Sequence, residues 1–216
     1  DQMGTAYVRY NGDHGLKNSH VESMEFKDYL RRMWRAANNR IIGKEALNQV
    51  LAELEAEARA GNEYELKPRV AYSEEIDSIV YDYLDGTGEV AVISKQGVNE
   101  SHIDSLHQVP LLRTESHQKP QDRAVRSSDP KLIKQFIDEF LNIQDHSKAL
   151  VCAWLGIALM PHITQPAIYL TGEPASGKST QLKVLRELID PSRLDLQDPP
   201  NRLQDAVLQA AQHSLL

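Results

Sequence analysis

The sequence predicts an α/β domain with a parallel sheet that is incomplete in this chain, preceded by a smaller α+β domain. Over 167–190 a short apolar run, a glycine-rich loop and a helical pattern follow one another, which is the order of elements that opens a βαβ unit. The first half of the chain has two helical patterns and then stretches with a period of two. We therefore predict an N-terminal α+β domain over 1–113, a polar linker over 114–130 and the start of the α/β domain over 131–216.

Composition and charge limit the classes of protein to consider. A hydrophobic fraction of 41% and a charged fraction of 25% are those of a globular protein that buries a core. With a net charge of -7, any contact with nucleic acid must come from a local basic patch. The single cysteine, Cys152, excludes an internal disulfide and a cysteine-rich zinc site. The longest apolar stretch, 149–160, is shorter than the roughly 20 residues that cross a bilayer, so we expect a cytoplasmic protein without membrane contact.

Two helices and a small antiparallel meander are expected in the N-terminal domain. Apolar residues recur every three or four positions in the helices and alternate in the strands. Asp85–Gly88 is typical of a hairpin connection. This order permits a winged-helix-like arrangement without demanding it. The predicted elements are a strand over 5–10, helices over about 22–38 and 43–60, and strands over 70–72, 78–84, 89–94 and 109–113.

The first helix carries a basic face that has two interpretations. Its side chains could contact a phosphate backbone, or they could form a solvated face paired with nearby acidic residues. The basic residues are Lys27, Arg31, Arg32 and Arg35, and the acidic ones are Glu22, Glu25 and Asp28.

Two more helices and a strand are expected before the glycine-rich loop. An amphipathic pattern over 131–143 begins after Pro130, a residue that is favourable at the first helical position. A nearly all-apolar helix over 147–160 ends at Pro161. The apolar run over 167–171 then suits a buried parallel strand.

The loop Gly172–Ser179 matches the pattern Gly-x-x-x-x-Gly-Lys-Ser/Thr. A chance glycine-rich turn is the alternative, but the expected strand and helix on either side favour a phosphate-binding P-loop. The fold class predicted on this basis is an α/β P-loop NTPase domain, with ATP and Mg²⁺ as ligands.

Each residue type in the loop suits a task in phosphate binding. Glycines allow close approach of the backbone, whose amides meet the phosphate oxygens at the positive end of a helix. Lys178 is the expected catalytic residue, reaching the β- and γ-phosphates, and the Ser179 hydroxyl is the expected Mg²⁺ ligand. The predicted nucleotide-binding residues are Gly172, Glu173, Pro174, Ala175, Ser176, Gly177, Lys178, Ser179 and Thr180.

Hydrolysis also needs an acidic residue beside the metal, usually at the end of a later apolar strand. Asp195, in the weak strand candidate 194–196, is a poor match. A helix expected over 202–212 leads into 214–216, which is typical of the opening of a buried strand. We therefore expect the acid beyond Leu216, and we expect this chain to bind phosphate without completing hydrolysis alone.

The segment with Ala153-Trp154-Leu155 and then Tyr169-Leu-Thr-Gly-Glu-Pro-Ala-Ser-Gly-Lys-Ser-Thr180 resembles a known family. These are ATP-binding proteins of phages and integrated elements that accompany or fuse to primases, related to superfamily 3 and AAA+ helicases. The resemblance covers 131–216. It implies an acidic Asp-Asn pair after the next strand, and a DNA motor in replication of a mobile element. It also implies a homo-oligomeric ring in which a neighbour supplies an arginine, with DNA contacted by the N-terminal domain or the ring pore.

Two other functions fit the same loop. One is a regulatory or defence ATPase that switches a protein partner without translocation. The other, a small-molecule kinase, is less favoured because most of the chain precedes the loop.

Overall fold

The order of helices and strands along the chain differs from the predicted α/β arrangement. The structure is a computed structural model that describes residues 4–12, 15–64, 66–106, 112–113, 117–125, 127, 129, 131–196, 202 and 204. The helices within these residues are α1 (Met24–Asn38), α2 (Lys44–Ala60), α3 (Leu132–Phe140), α4 (Asp145–Ala158) and α5 (Lys178–Ile189). The strands are β1 (Tyr7–Gly12), β2 (Gly15–His20), β3 (Lys67–Pro68), β4 (Val70–Ser73), β5 (Ser78–Asp82), β6 (Glu89–Ser94), β7 (Gly97–His102) and β8 (Leu112–Arg113).

An N-terminal hairpin packs against α1 and α2. Strands β1 and β2 pair antiparallel, with Tyr7 opposite His20, and the ring of Tyr10 lies 5.1 Å from that of Phe26. The Ser23 hydroxyl accepts a hydrogen bond from the Phe26 amide and caps α1. Both predicted helices are confirmed. Strand β2 was not predicted, because its polar sequence carries no clear alternation.

A four-stranded antiparallel sheet in the order β4-β5-β6-β7 follows. Its two faces are apolar: Val80 and Val90 lie in one cluster, and Tyr81 and Ala91 in the other. The three predicted strands at 70–72, 78–84 and 89–94 are confirmed with small shifts in their ends. The fourth strand, β7, was missed because it is an exposed, polar edge strand.

The predicted α/β P-loop NTPase fold is wrong. The segment 167–171 forms no strand in the structure, and Tyr169 within it is 86% exposed. A buried parallel strand needs neighbouring strands to satisfy its backbone and cover its faces, and the described residues supply none beside this segment. The one parallel pairing among them joins β3 to β8 and is two residues long. The sheets of the described chain are otherwise antiparallel, with two and four strands.

Helices α3, α4 and α5 share one apolar core instead of covering a sheet. Ile137 of α3, Leu155 of α4 and Leu185 of α5 are all buried in it. Helix α3 ends at Phe140, three residues before its predicted end, and α4 starts at Asp145. No strand forms at 194–196. The predicted helix 202–212 and strand 214–216 lie outside the described residues except for 202 and 204.

The first described part of the predicted linker, 117–121, packs against its neighbours, whereas 122–125 are exposed. The backbone amide of Gln121 donates to the Tyr83 carbonyl at 2.7 Å, and the backbone amide of Lys119 donates to the Pro191 carbonyl at 3.0 Å. These bonds place 117–121 between the four-stranded sheet and the end of α5. In the part of the chain that the structure covers, no helix is both long and apolar enough to cross a bilayer.

Candidate functional site

The loop that precedes α5 folds into a tight turn with two left-handed residues. Ala175 has φ 63° and Gly177 has φ 80°, and the Ser176 amide donates to the Glu173 carbonyl at 3.3 Å. A Cβ on Gly172 would lie 3.0 Å from the Ser176 hydroxyl oxygen. Glycine at 172 therefore allows Ser176 to close over the start of the loop, and glycine at 177 provides a left-handed conformation that costs other residues about 1–2 kcal/mol.

Lys178 lies across this loop. Its ammonium donates to the Gly172 carbonyl at 2.9 Å, to the Glu173 carbonyl at 2.7 Å and to the Ser176 hydroxyl at 3.3 Å. The three acceptors surround one cation at the first residue of α5. An anion that enters the loop would meet this charge directly.

The N-terminus of α5 adds positive potential at the same place. Gly177 is its N-cap residue and provides no side-chain hydrogen bond, and the first turn contains no acidic residue. The first amides of a helix have no partner within the helix, and the aligned peptide dipoles place about half a positive charge there. An anion is thus favoured by the helix end as well as by Lys178.

Ser179 and Thr180 are exposed in the first turn of α5. The Ser179 hydroxyl suits Mg²⁺, which prefers oxygen ligands and keeps several waters. Among the described residues there is no group of three or more histidine, cysteine, aspartate or glutamate side chains that could hold a metal ion. Mg²⁺ at Ser179 would therefore depend on oxygens that arrive with a ligand.

A cleft of about 710 Å³ adjoins the loop. One wall is helix α4, with Leu150, Ala153 and Trp154, and the other is the irregular segment 166–172. The Trp154 indole donates to the Pro166 carbonyl at 2.9 Å, which holds the two walls together. Clefts of this volume are typical of small-molecule sites, and Lys178 lies among the residues that line it.

Gln181 lines the same cleft and was not predicted as a site residue. Its side chain is 7% exposed, and its carbonyl oxygen has no hydrogen-bond partner among the described residues. A buried polar atom without a partner is costly and needs an explanation. Its position one turn after the Gly177–Lys178 step is the sequence signal that could have identified it.

Asp195, the weak candidate for the hydrolytic acid, pairs with Lys183 at 2.6 Å. This hydrogen bond lowers the pKa of the Asp195 carboxyl. Since Lys183 lies five residues beyond Lys178 on α5, the carboxylate is engaged away from the loop. The role of Asp195 in catalysis gains no support.

The opposite end of α5 is anchored by a buried ion pair. Arg69 and Asp190 are 0% and 1% exposed, and the guanidinium Nε lies 2.9 Å from the carboxylate. Further guanidinium hydrogens bond the Asp82 and Pro191 carbonyls. The Tyr81 hydroxyl donates to the Ile189 carbonyl at 2.8 Å. One helix therefore links the glycine-rich loop to the four-stranded sheet.

No protein-family model matches this chain, and no curated protein or solved structure shows significant similarity to it.

Proposed function

We propose that this protein binds a nucleoside triphosphate through the loop 172–180 and that binding serves work on DNA. The observation that supports binding most is the position of Lys178, whose ammonium lies among the loop's own oxygens at the uncapped start of α5. Phosphate oxygens are stronger acceptors than carbonyl oxygens, so they would replace the Gly172 and Glu173 carbonyls around this cation. The proposal concerns the loop and α5, and it requires no parallel sheet.

The cleft beside the loop gives the rest of the nucleotide a place. With the triphosphate at Lys178, the nucleoside would lie between α4 and 166–172, against the wall that includes Ala153. ATP would bring Mg²⁺ with it, and Ser179 would add one oxygen to the metal's shell.

Lys178→Ala should weaken ATP binding at least about 10-fold, because one charge-assisted contact to phosphate contributes about 1.5–3 kcal/mol. Titration calorimetry with ATP and Mg²⁺ measures this. Lys183→Ala is the matched control, since it removes the same charge from the same helix at a side chain that is 55% exposed. Equal affinity of the Lys178 variant and the wild type would refute the site.

A second variant separates the phosphate site from the nucleoside site. Ala153→Trp should fill the cleft and weaken ATP binding while leaving the affinity for tripolyphosphate unchanged. Ala46→Trp on the exposed face of α2 is its control. Equal weakening of both ligands would show that the substitution disturbs the loop, and unchanged ATP binding would exclude the cleft.

A regulatory switch is the second candidate, favoured by the buried contact between Arg69 and Asp190 at the end of α5. A change at the loop could reach the sheet through this helix. For the switch, ATP should alter amide hydrogen exchange in β4 and β5 and leave the affinity for single-stranded DNA unchanged. For work on DNA, ATP should change the affinity for single-stranded DNA.

A further inference from the structure

The C-terminal half of α1 and the turn after it form a concentrated basic surface. Residues 31–44, here called the α1 basic surface, contain no acidic residue, whereas the whole chain has a net charge of -7. The basic residues of this surface are Arg31, Arg32, Arg35, Arg40 and Lys44. A local field of this sign on an acidic protein attracts a polyanion to one place.

This surface projects from the body of the protein. The first half of α1 is packed against the hairpin, where Phe26 is 2% exposed, but every residue from 31 to 41 is exposed. Large apolar side chains are uncovered between the arginines: Met33 is 52% exposed, Trp34 is 42% and Ile41 is 87%. Scattered single apolar residues are common on surfaces, but a tryptophan among several arginines suits a partner that is both anionic and aromatic.

Helical spacing places the Trp34 ring on the same face of α1 as Arg31, three residues earlier, and as Lys27, which precedes the α1 basic surface. Arg35 lies at the edge of this face, and Arg32 lies on the other side of the helix. A helix that lies in a membrane surface instead separates its aromatic residues from its basic face. The Asp28 carboxylate pairs with Arg31 at 2.7 Å at the edge of this face.

We propose that the α1 basic surface binds single-stranded DNA, with the basic side chains contacting phosphates and the Trp34 ring stacking on a base. Duplex DNA offers the same phosphates, but its bases are stacked on each other and leave no free face for an indole. The inference rests on the proposed function in taking DNA as the partner, although the residues involved lie outside the nucleotide site.

The electrostatic part is tested by binding of a labelled oligothymidylate of about 20 nucleotides, without nucleotide, from about 50 to 200 mM salt. Three or four phosphate contacts give a slope of log K against log salt near -2 to -3, since each contributes about -0.7 on single strands. Arg35→Gln/Arg40→Gln should lower the affinity about 10-fold and reduce the slope by about 1.4. Arg59→Gln/Lys95→Gln, which removes the same charge from exposed positions elsewhere, should leave both nearly unchanged. Equal losses in the two double variants would overturn the proposal.

The stacking part is tested at Trp34. Trp34→Ala should weaken binding about 10-fold, whereas Trp34→Phe retains an aromatic face and should recover most of the affinity. Duplex DNA of equal length should bind more weakly than the single strand to the wild type, with little difference between them in Trp34→Ala. Tighter binding to the duplex, or binding to anionic phospholipid vesicles in place of DNA, would overturn the proposal.

Lys178→Ala separates this inference from the proposed function. The variant should bind the oligonucleotide like the wild type. If ATP fails to bind while the DNA results hold, the nucleotide proposal falls alone. If ATP binds and the α1 variants match their controls, the surface proposal falls alone.

Discussion

Gly177 and Lys178 join backbone conformation and charge at the candidate site. The left-handed conformation of Gly177 turns the chain into α5, and the next residue returns its ammonium over the loop. The same step exposes the first amides of the helix. Both sources of positive potential at the loop therefore depend on one backbone turn.

Two glycine substitutions should have opposite effects on stability. A Cβ at Gly177 finds space, but its φ of 80° is strained for alanine, so Gly177→Ala should lower the free energy of unfolding by about 1–2 kcal/mol. Gly156 lies within helix α4, and a Cβ added at this position would meet no atom within 4 Å apart from its own helix backbone and chain neighbours. Gly156→Ala should raise that free energy by about 0.5–1 kcal/mol, because alanine loses less conformational entropy in a helix. Urea unfolding measures both, and changes of the same sign would contradict the expectation.

Ser179 should matter only when the metal is present. Ser179→Ala removes one oxygen from the expected Mg²⁺ shell, so it should weaken binding of ATP with Mg²⁺ and leave binding of ATP in EDTA unchanged. Ser179→Thr retains the hydroxyl and should behave like the wild type. An equal loss with and without metal would assign Ser179 to phosphate contact instead.

Helix α5 is the element that joins the loop to the sheet. Its N-terminus is open to solvent at the loop, and its C-terminus is buried between Tyr81 and Arg69. Burial raises the pKa of Tyr81 to about 12, because the phenolate is disfavoured away from water. The hydroxyl that holds the Ile189 carbonyl is therefore neutral over the usual range of pH.

Tyr81 should make the protein less stable at alkaline pH. Its pKa is about 12 in the folded protein and about 10 when unfolded, so the folded state binds the proton more tightly. This contribution is fully present below pH 10 and is lost as the pH rises to 12, at up to about 1.4 kcal/mol per pH unit.

Tyr81→Phe tests this dependence. Near pH 8 it should lower the free energy of unfolding by about 1–2 kcal/mol, since the buried Ile189 carbonyl loses its donor. The difference from the wild type should shrink between pH 10 and 12, as followed by urea unfolding across that range. A difference that stays constant would contradict the assigned pKa.

At the scale of the whole molecule, Arg69 connects parts of the chain that are distant in sequence. It bonds the sheet through the Asp82 carbonyl and the end of α5 through Asp190. The Tyr72 and His162 rings, 4.1 Å apart, bring the sheet and the segment after α4 together at a second point. The sheet and the α3–α5 core should therefore unfold together.

Asp190→Asn should break this cooperativity. It leaves the buried guanidinium without a countercharge, which costs about 3–5 kcal/mol. In a Trp34→Phe background, fluorescence reports Trp154 in the α3–α5 core alone, because the chain has two tryptophans. In the Trp34→Phe protein, the fluorescence transition of Trp154 in urea should coincide with the circular dichroism transition. When Asp190→Asn is added, the fluorescence transition should occur at a lower urea concentration than the circular dichroism transition. Lys95→Gln, which breaks an exposed ion pair, is the control and should leave the two transitions coincident. Two separate transitions without Asp190→Asn would show that the sheet and the α3–α5 core do not unfold together.

Local patterns in the sequence were enough for most helices and for three strands of the sheet. The apolar spacing of α1 and α2 depends on residues only three or four positions apart, so it can be recognised without the rest of the molecule. Strands β2 and β7 were missed because polar strands are stabilised by the strands they pair with, and pairing is not written in their own composition. The loop 172–180 was predicted as a phosphate site from its glycines and lysine, and this stays a prediction.

The sequence by itself determined the glycines that allow close approach of the loop backbone, the local charge of α1 and the residues available to meet phosphate. Only the tertiary structure decided that 167–171 lies open beside α4 instead of forming a parallel strand, since a strand needs partners that distant residues provide. It also decided that Arg69 and Asp190, 121 residues apart, meet in a buried pair. Contacts over such distances in sequence depend on how the elements pack, and no local pattern encodes them.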